Sequence, residues 1–146
     1  MGQVSSSIKT FFEDFERASN TFDQALLASL FSDPFMSADP HGNVQVTKRE
    51  DFLAVIAKRQ AFFHALGFQF VKIVPLAETQ LGGSYVMVKA HTQMQFAKSP
   101  GQPIEMNNEM IYIMFMKDDS SKIVFQLTHE DLLKIMREHG LLPENS

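Results

Sequence analysis

Asp39, Asn108, Tyr112 and His129 are the residues of this 146-residue chain whose types and surroundings point to chemistry. Asp39 lies in Ala38-Asp39-Pro40-His41-Gly42, downstream of the apolar pair Leu30-Phe31 and close to Phe35. A carboxylate at the mouth of an apolar cavity has its charged form disfavoured, which raises its pKa and suits it to abstract a proton. An aspartate before proline, with glycine following, is equally a turn residue whose carboxylate caps backbone N–H groups. Tyr112 and Asn108 fall on one side of an alternating segment, among apolar neighbours. Once buried, each needs a partner, either within the protein or in a ligand. His129 closes the last alternating segment in Thr128-His129-Glu130-Asp131. There it either assists at a site or serves as a hydrogen-bonded structural residue.

Other chemistries lack their residues. The chain has no cysteine, and its histidines at 41, 64, 91, 129 and 139 show no H-x-H or H-E-x-x-H spacing, so no metal site is expected. No phosphate-cradling glycine motif and no G-x-S-x-G elbow occur, and no cofactor is expected. Arginine stands only at 17, 49, 59 and 137, outside every predicted strand, and Lys48-Arg49 and Lys58-Arg59 read as solvated helix positions. A net charge of -4 argues against a nucleic-acid footprint. No apolar run approaches the ~20 residues that cross a bilayer, and no signal peptide is visible, so a cytoplasmic location is expected. Met1-Gly2-Gln3-Val4-Ser5-Ser6 matches an acylation pattern at Gly2. One acyl chain beside a single base, Lys9, would give only marginal membrane binding.

The elements that must hold these residues read as helices first and sheet second. Ile8, Phe11, Phe12 and Phe15 repeat at helical spacing behind the cap oxygens of Ser5 to Ser7. A second helix is predicted over Phe22 to Leu30, started by Thr21 and Gln24 at capping-box spacing. In a third, Thr47 and Glu50 form another box, Phe52, Val55, Ile56, Phe63 and Leu66 line one side, and Gly67 supplies the stop. The stretch from Ser32 to Gly42 reads as irregular, with room for a short strand on either side of its turn. From Phe68 the period becomes two, over roughly 68–80, 84–97, 103–116 and 122–129. The short connections predict an antiparallel meander, with Pro75 marking an edge or a bulge. A last helix is predicted from Glu130 to His139, ended by Gly140. The whole of 1–146 reads as one α+β domain.

Alternation sorts the strands into two faces. The core face carries Val86, Val88, Met94 and Phe96, then Met106, Asn108, Met110, Tyr112 and Met114, then Ile123, Phe125, Leu127 and His129. Its four methionines on one strand suit an adaptable cavity as well as a soft core. The opposite face gathers Tyr85, Met87, Ile111, Ile113, Phe115 and Val124, an apolar patch that reads as a homodimer interface or as the seat of a terminal segment.

The order of elements, with Leu30-Phe31-Ser32-Asp33-Pro34-Phe35 and Ala38-Asp39-Pro40-His41-Gly42, resembles the nuclear transport factor 2-like superfamily, which includes ketosteroid isomerase and SnoaL-type polyketide cyclases. The resemblance implies a cone-shaped α+β roll: amino-terminal helices on a strongly curved antiparallel sheet around an apolar pocket, commonly dimeric through the outer face. In ketosteroid isomerase the matching aspartate is the general base, so Asp39 takes that role by analogy, with His129 or Tyr112 assisting. The isomerase's oxyanion tyrosine has no counterpart on the first helix, which offers Phe11, Phe12 and Phe15. Its second donor is an aspartic acid on a late strand, where Met110, Ile111, Tyr112 or Ile113 stand. One such donor is worth about 3–4 kcal/mol of barrier, so a lone base would be a poor isomerase. The leading expectation is a homodimer binding a small hydrophobic ligand among Phe15, Phe35, Met94, Asn108, Met110 and Phe125. The alternatives are an isomerase, cyclase or dehydratase using Asp39, and a protein-interaction module using the outer face.

Overall fold

Helix α1 (Ser6–Thr21) starts where Ser5 predicts: in the computed structural model the Ser5 hydroxyl accepts the Ile8 N–H. The structure describes residues 4–97, 103–117, 120–128, 132–138 and 140. Phe22 closes α1 in the left-handed conformation, φ 51°, with its N–H on the Ala18 carbonyl. Thr21 therefore lies inside α1, its hydroxyl on the Arg17 carbonyl. The start of α2 (Gln24–Ser29) falls instead to Asp23, whose carboxylate accepts the Leu26 N–H at 3.1 Å.

The predicted strand–turn–strand follows as β1 (Phe31–Ala38) and β2 (Val44–Thr47), an antiparallel hairpin. Thr47 pairs with Phe35 in that hairpin, which removes it from the cap of α3 (Arg49–Ala65). Asp33 of β1 takes its place, accepting the Arg49 N–H at 2.9 Å, so α3 is tied to the sheet by a residue distant in sequence. Phe52, Ile56, Phe63 and Leu66 are buried as expected, whereas Val55 is 40% exposed. Gly67, at φ 80°, ends the helix.

Four long segments complete the sheet: β3 (Phe68–Gly82), β4 (Tyr85–Phe96), β5 (Ile104–Phe115) and β6 (Lys122–Thr128). A short α4 (Leu132–Glu138) follows. Strand order is β2-β1-β6-β5-β4-β3. The meander β3–β6 is antiparallel, but β1 joins β6 in parallel, a pairing that no local turn encodes. Pro75 falls on the edge strand β3 beside a register shift, which satisfies both of its predicted roles.

The alternation predicted for β4 and β5 holds: Val86–Met114, Val88–Tyr112, Ala90–Met110 and Met94–Met106 face one another across the two strands. The helices cover this face, and Phe12 is fully buried against Phe11, Phe15 and Tyr112. In β6 the alternation slips. Ile113 pairs with Phe125 but Met114 pairs with Ile123, so Val124 is an extra residue, a β-bulge. Beyond it Phe125 and Leu127 pair with Ile113 and Ile111 on the outer face, while Gln126 and Thr128 pair with Tyr112 and Met110 on the inner one. Phe125 is thus removed from the predicted pocket lining by one inserted residue, because strand side chains alternate with a period of two.

The free margin of β3 is capped by α1. The Asn20 amide donates to the Val71 carbonyl and accepts the Val71 N–H, both at 2.8 Å, and Glu16 accepts the Ile73 N–H at 2.7 Å. Among the described residues no helix is long and apolar enough to cross a membrane.

Candidate functional site

A recess of about 530 Å³ opens on the inner face where the β1–β2 hairpin meets β5 and β6. Ser37, Ala38 and Asp39, with Asn43 and Gln45, form its hairpin wall. Met110, Gln126 and Thr128 form its floor. Volumes of a few hundred Å³ are those of small-molecule sites.

Asp39 stands at the rim and caps its own turn. Its Oδ1 accepts the N–H groups of His41 (2.8 Å) and Asn43 (3.0 Å), and its Oδ2 accepts the Asn43 side-chain amide at 2.9 Å. The Asn43 side-chain hydrogen bond, then its backbone hydrogen bond, hold the carboxyl below its usual range. The raised pKa expected of a general base is therefore reversed: hydrogen bonds to the charged form outweigh desolvation.

Asn108 is the deepest polar group near the recess, 8% exposed. Its Nδ2 makes long contacts of 3.4 Å to the Met110 sulfur and the Thr128 hydroxyl, and its Oδ1 is buried with no partner. Such an acceptor left unmatched costs about 1–3 kcal/mol. Tyr112, 3% exposed, packs its ring edge-on against Phe12 and Phe15. Burial raises its pKa well above the ordinary tyrosine value, only partly offset by the charge of Arg59, so it is a neutral hydroxyl at physiological pH.

The structure therefore brings Asp39, Asn108 and Met110 to one recess, with Tyr112 next along the same face beside Gln126. Phe15, Phe35 and Met94 belong to the packed core. His129 lies outside the described residues, as does Gly2. Gln126 and Thr128 were missed because the bulge that turns them inward carries no glycine or proline signal. Arg59 was missed as well, although its spacing of four from Phe63 and seven from Phe52 was visible.

On the outer face Tyr85, Met87, Ile111, Ile113 and Phe115 share one side, as predicted. The bulge adds Phe125 and Leu127, and the hairpin adds Met36 and Val46. Val46, Met36, Phe125, Ile113 and Met87 line up across five successive strands.

A family model described as NTF2-like protein (DUF6841) matches residues 3–131. The chain belongs to this NTF2-like family. Among solved structures it is similar to an NTF-2 like protein of unknown function from Shewanella oneidensis MR-1, with a TM-score of 0.64 at 16% identity, covering 82% of this chain and 93% of that one. A cystatin-like fold domain of unknown function from Nostoc punctiforme PCC 73102 gives 0.65 at 16% identity, with 96% and 87% covered. A putative SnoaL-like polyketide cyclase from Shewanella denitrificans OS-217 gives 0.59 at 10% identity, with 92% and 97% covered. At these identities the likeness is one of fold. No curated protein matches significantly.

Proposed function

We propose that this NTF2-like chain is a homodimeric binding domain that takes a small, mainly apolar molecule in the recess of its inner face. The observation that carries this reading is Asn108, whose buried Oδ1 lacks a partner beside a recess of about 530 Å³. A ligand N–H or O–H reaching it would recover the cost of that unmatched acceptor. Met110 gives an adaptable apolar floor. Catalysis through Asp39 is the weaker reading, since a carboxylate already accepting from His41 and Asn43 is a poor base.

Decanol and 1-naphthylmethanol, each titrated in a thermal melt, test this reading. Binding is expected to raise the wild-type melting temperature by a few degrees near saturation. Asn108→Leu is expected to melt higher without ligand yet respond less to either alcohol. A wild type that shifts with neither compound, or an Asn108→Leu protein that responds equally, would refute it.

The apolar row across the outer face supports self-association, because apolar patches of this extent mark contact surfaces. Ile113→Lys is expected to convert the dimer to monomer in sedimentation equilibrium without changing the far-ultraviolet spectrum. A wild type that sediments as a monomer and captures no second copy would instead favour the protein-interaction module.

A further inference from the structure

Arg59 is the charged group that the recess does not account for. It lies seven residues after Phe52 and four before Phe63, and at 3.6 residues per turn those positions share one helix face. Phe52, Ile56, Phe63 and Leu66 on that face are buried, while Arg59 among them keeps solvent access. Its guanidinium nonetheless lies deep enough among protein atoms for desolvation to lower its pKa, and Tyr112 is the group whose charge acts on it. Both facts hold together when the guanidinium stands in a wet hollow inside the fold, on neither the packed core nor the outer surface. It makes no hydrogen bond or ion pair among the described residues. The acids of its own helix, Glu50 and Asp51, sit in the first turn, and Asp51 is eight residues, about 12 Å, back along the axis.

A cation drawn out of bulk water without a counter-charge is costly, and such groups mark sites that receive one from elsewhere. Resting on the ligand-binding reading above, we propose that Arg59 anchors the acid group of a carboxylate ligand, with Tyr112 donating its hydroxyl beside it. One guanidinium balances one negative charge, and its planar fork matches a carboxylate two bonds at a time. Tyr112, neutral because it is buried, adds a donor and no charge. Gln126, its cross-strand neighbour on the inner face, also lines the recess, so the ligand's apolar body extends from Tyr112 over Met110 towards the hairpin.

Decanoate and 1-naphthoate, each paired with its alcohol, distinguish this proposal from the broader one by calorimetric titration into wild type, Arg59→Met and Arg59→Lys. In wild type the acids are expected to bind at least about tenfold more tightly than the alcohols, a single charge-assisted contact. Arg59→Met is expected to erase that preference and leave alcohol binding within about twofold, while Arg59→Lys keeps part of it. Without ligand, Arg59→Met is expected to melt above wild type, because a cation lacking a partner has been removed. Acids that bind no better than alcohols, or a preference that survives in Arg59→Met, would overturn the anchor and leave the recess reading standing. Binding of neither class would remove both. A lower melting temperature for Arg59→Met would show that the protein itself satisfies the guanidinium and would equally overturn the proposal.

Discussion

Tyr112 and Ile113 are neighbours in sequence and sit on opposite sides of the sheet. On Tyr112's side the helices cover the strands, Phe12 and Phe15 close over the ring, and the covering gives way to a recess only beside the hairpin. On Ile113's side the row from Val46 to Met87 carries no helix contact of comparable extent, and its members are half-buried or exposed. The inner face is polar where it opens; the outer face is apolar where it is bare. A polar opening suits a ligand that must be oriented, and a bare apolar band suits a broad partner that need only be covered.

The same truncation on the two faces should separate these roles most sharply. Phe12→Ala is expected to cost about 3–5 kcal/mol in urea unfolding, since a fully buried ring leaves a cavity among aromatic neighbours. Ile113→Ala, measured at concentrations low enough to hold the chain monomeric, is expected to cost under about 1 kcal/mol. Equal losses would mean that the outer face is covered within the monomer, and the contrast between the faces would fail.

A middle-sized effect concerns how the helix carrying Arg59 is held over the inner face. Asp33→Ala should lower stability by about 1 kcal/mol in the same assay, and Thr47→Ala by much less, because Asp33 caps α3. The reverse ranking would restore the local capping box read from the sequence.

The smallest effect belongs to the rim, where the two faces meet at Asp39. Its carboxyl pKa is held below 3.8 in the folded protein by the Asn43 hydrogen bonds. A depressed native pKa contributes stability above the unfolded value, and that contribution disappears as pH falls through the native one. Wild type should therefore melt slightly above Asp39→Asn at pH 6, and the gap should close as pH drops below about 4. A gap that widens on acidification would reverse the sign assigned to this carboxyl.

Much of this architecture is legible in the residues. The Ile8–Phe15 stripe, the glycine stop at Gly67 and the period of two from Tyr85 to Phe115 all became the elements they predict. These are local signals, each carried by residues a few positions apart. What escaped was set at a distance. The β1–β6 pairing joins segments some ninety positions apart, and the Val124 bulge exists only relative to the partner strand. Ile123-Val124-Phe125 is apolar throughout, so the pattern holds no mark of the slip. Gln126 and Thr128 look like solvent-facing residues and point inward because the inner face is open there. Asp39 was legible in its alternative form, a turn cap, and its hydrogen bonds chose that form. Arg59 carried a readable spacing, but charge outweighs spacing in any reading by residue type.

The amide of Asn20 treats Val71 as a neighbouring strand would, filling both of its backbone positions. One margin of the layer is thereby sealed by a helix. Any chain that extends this sheet edge-to-edge must do so at the opposite margin, alongside the four residues of β2, where Val44 and Val46 stand exposed. So short a ledge offers few rungs, and the fold guards against growing into a fibre by leaving almost nothing to grow from.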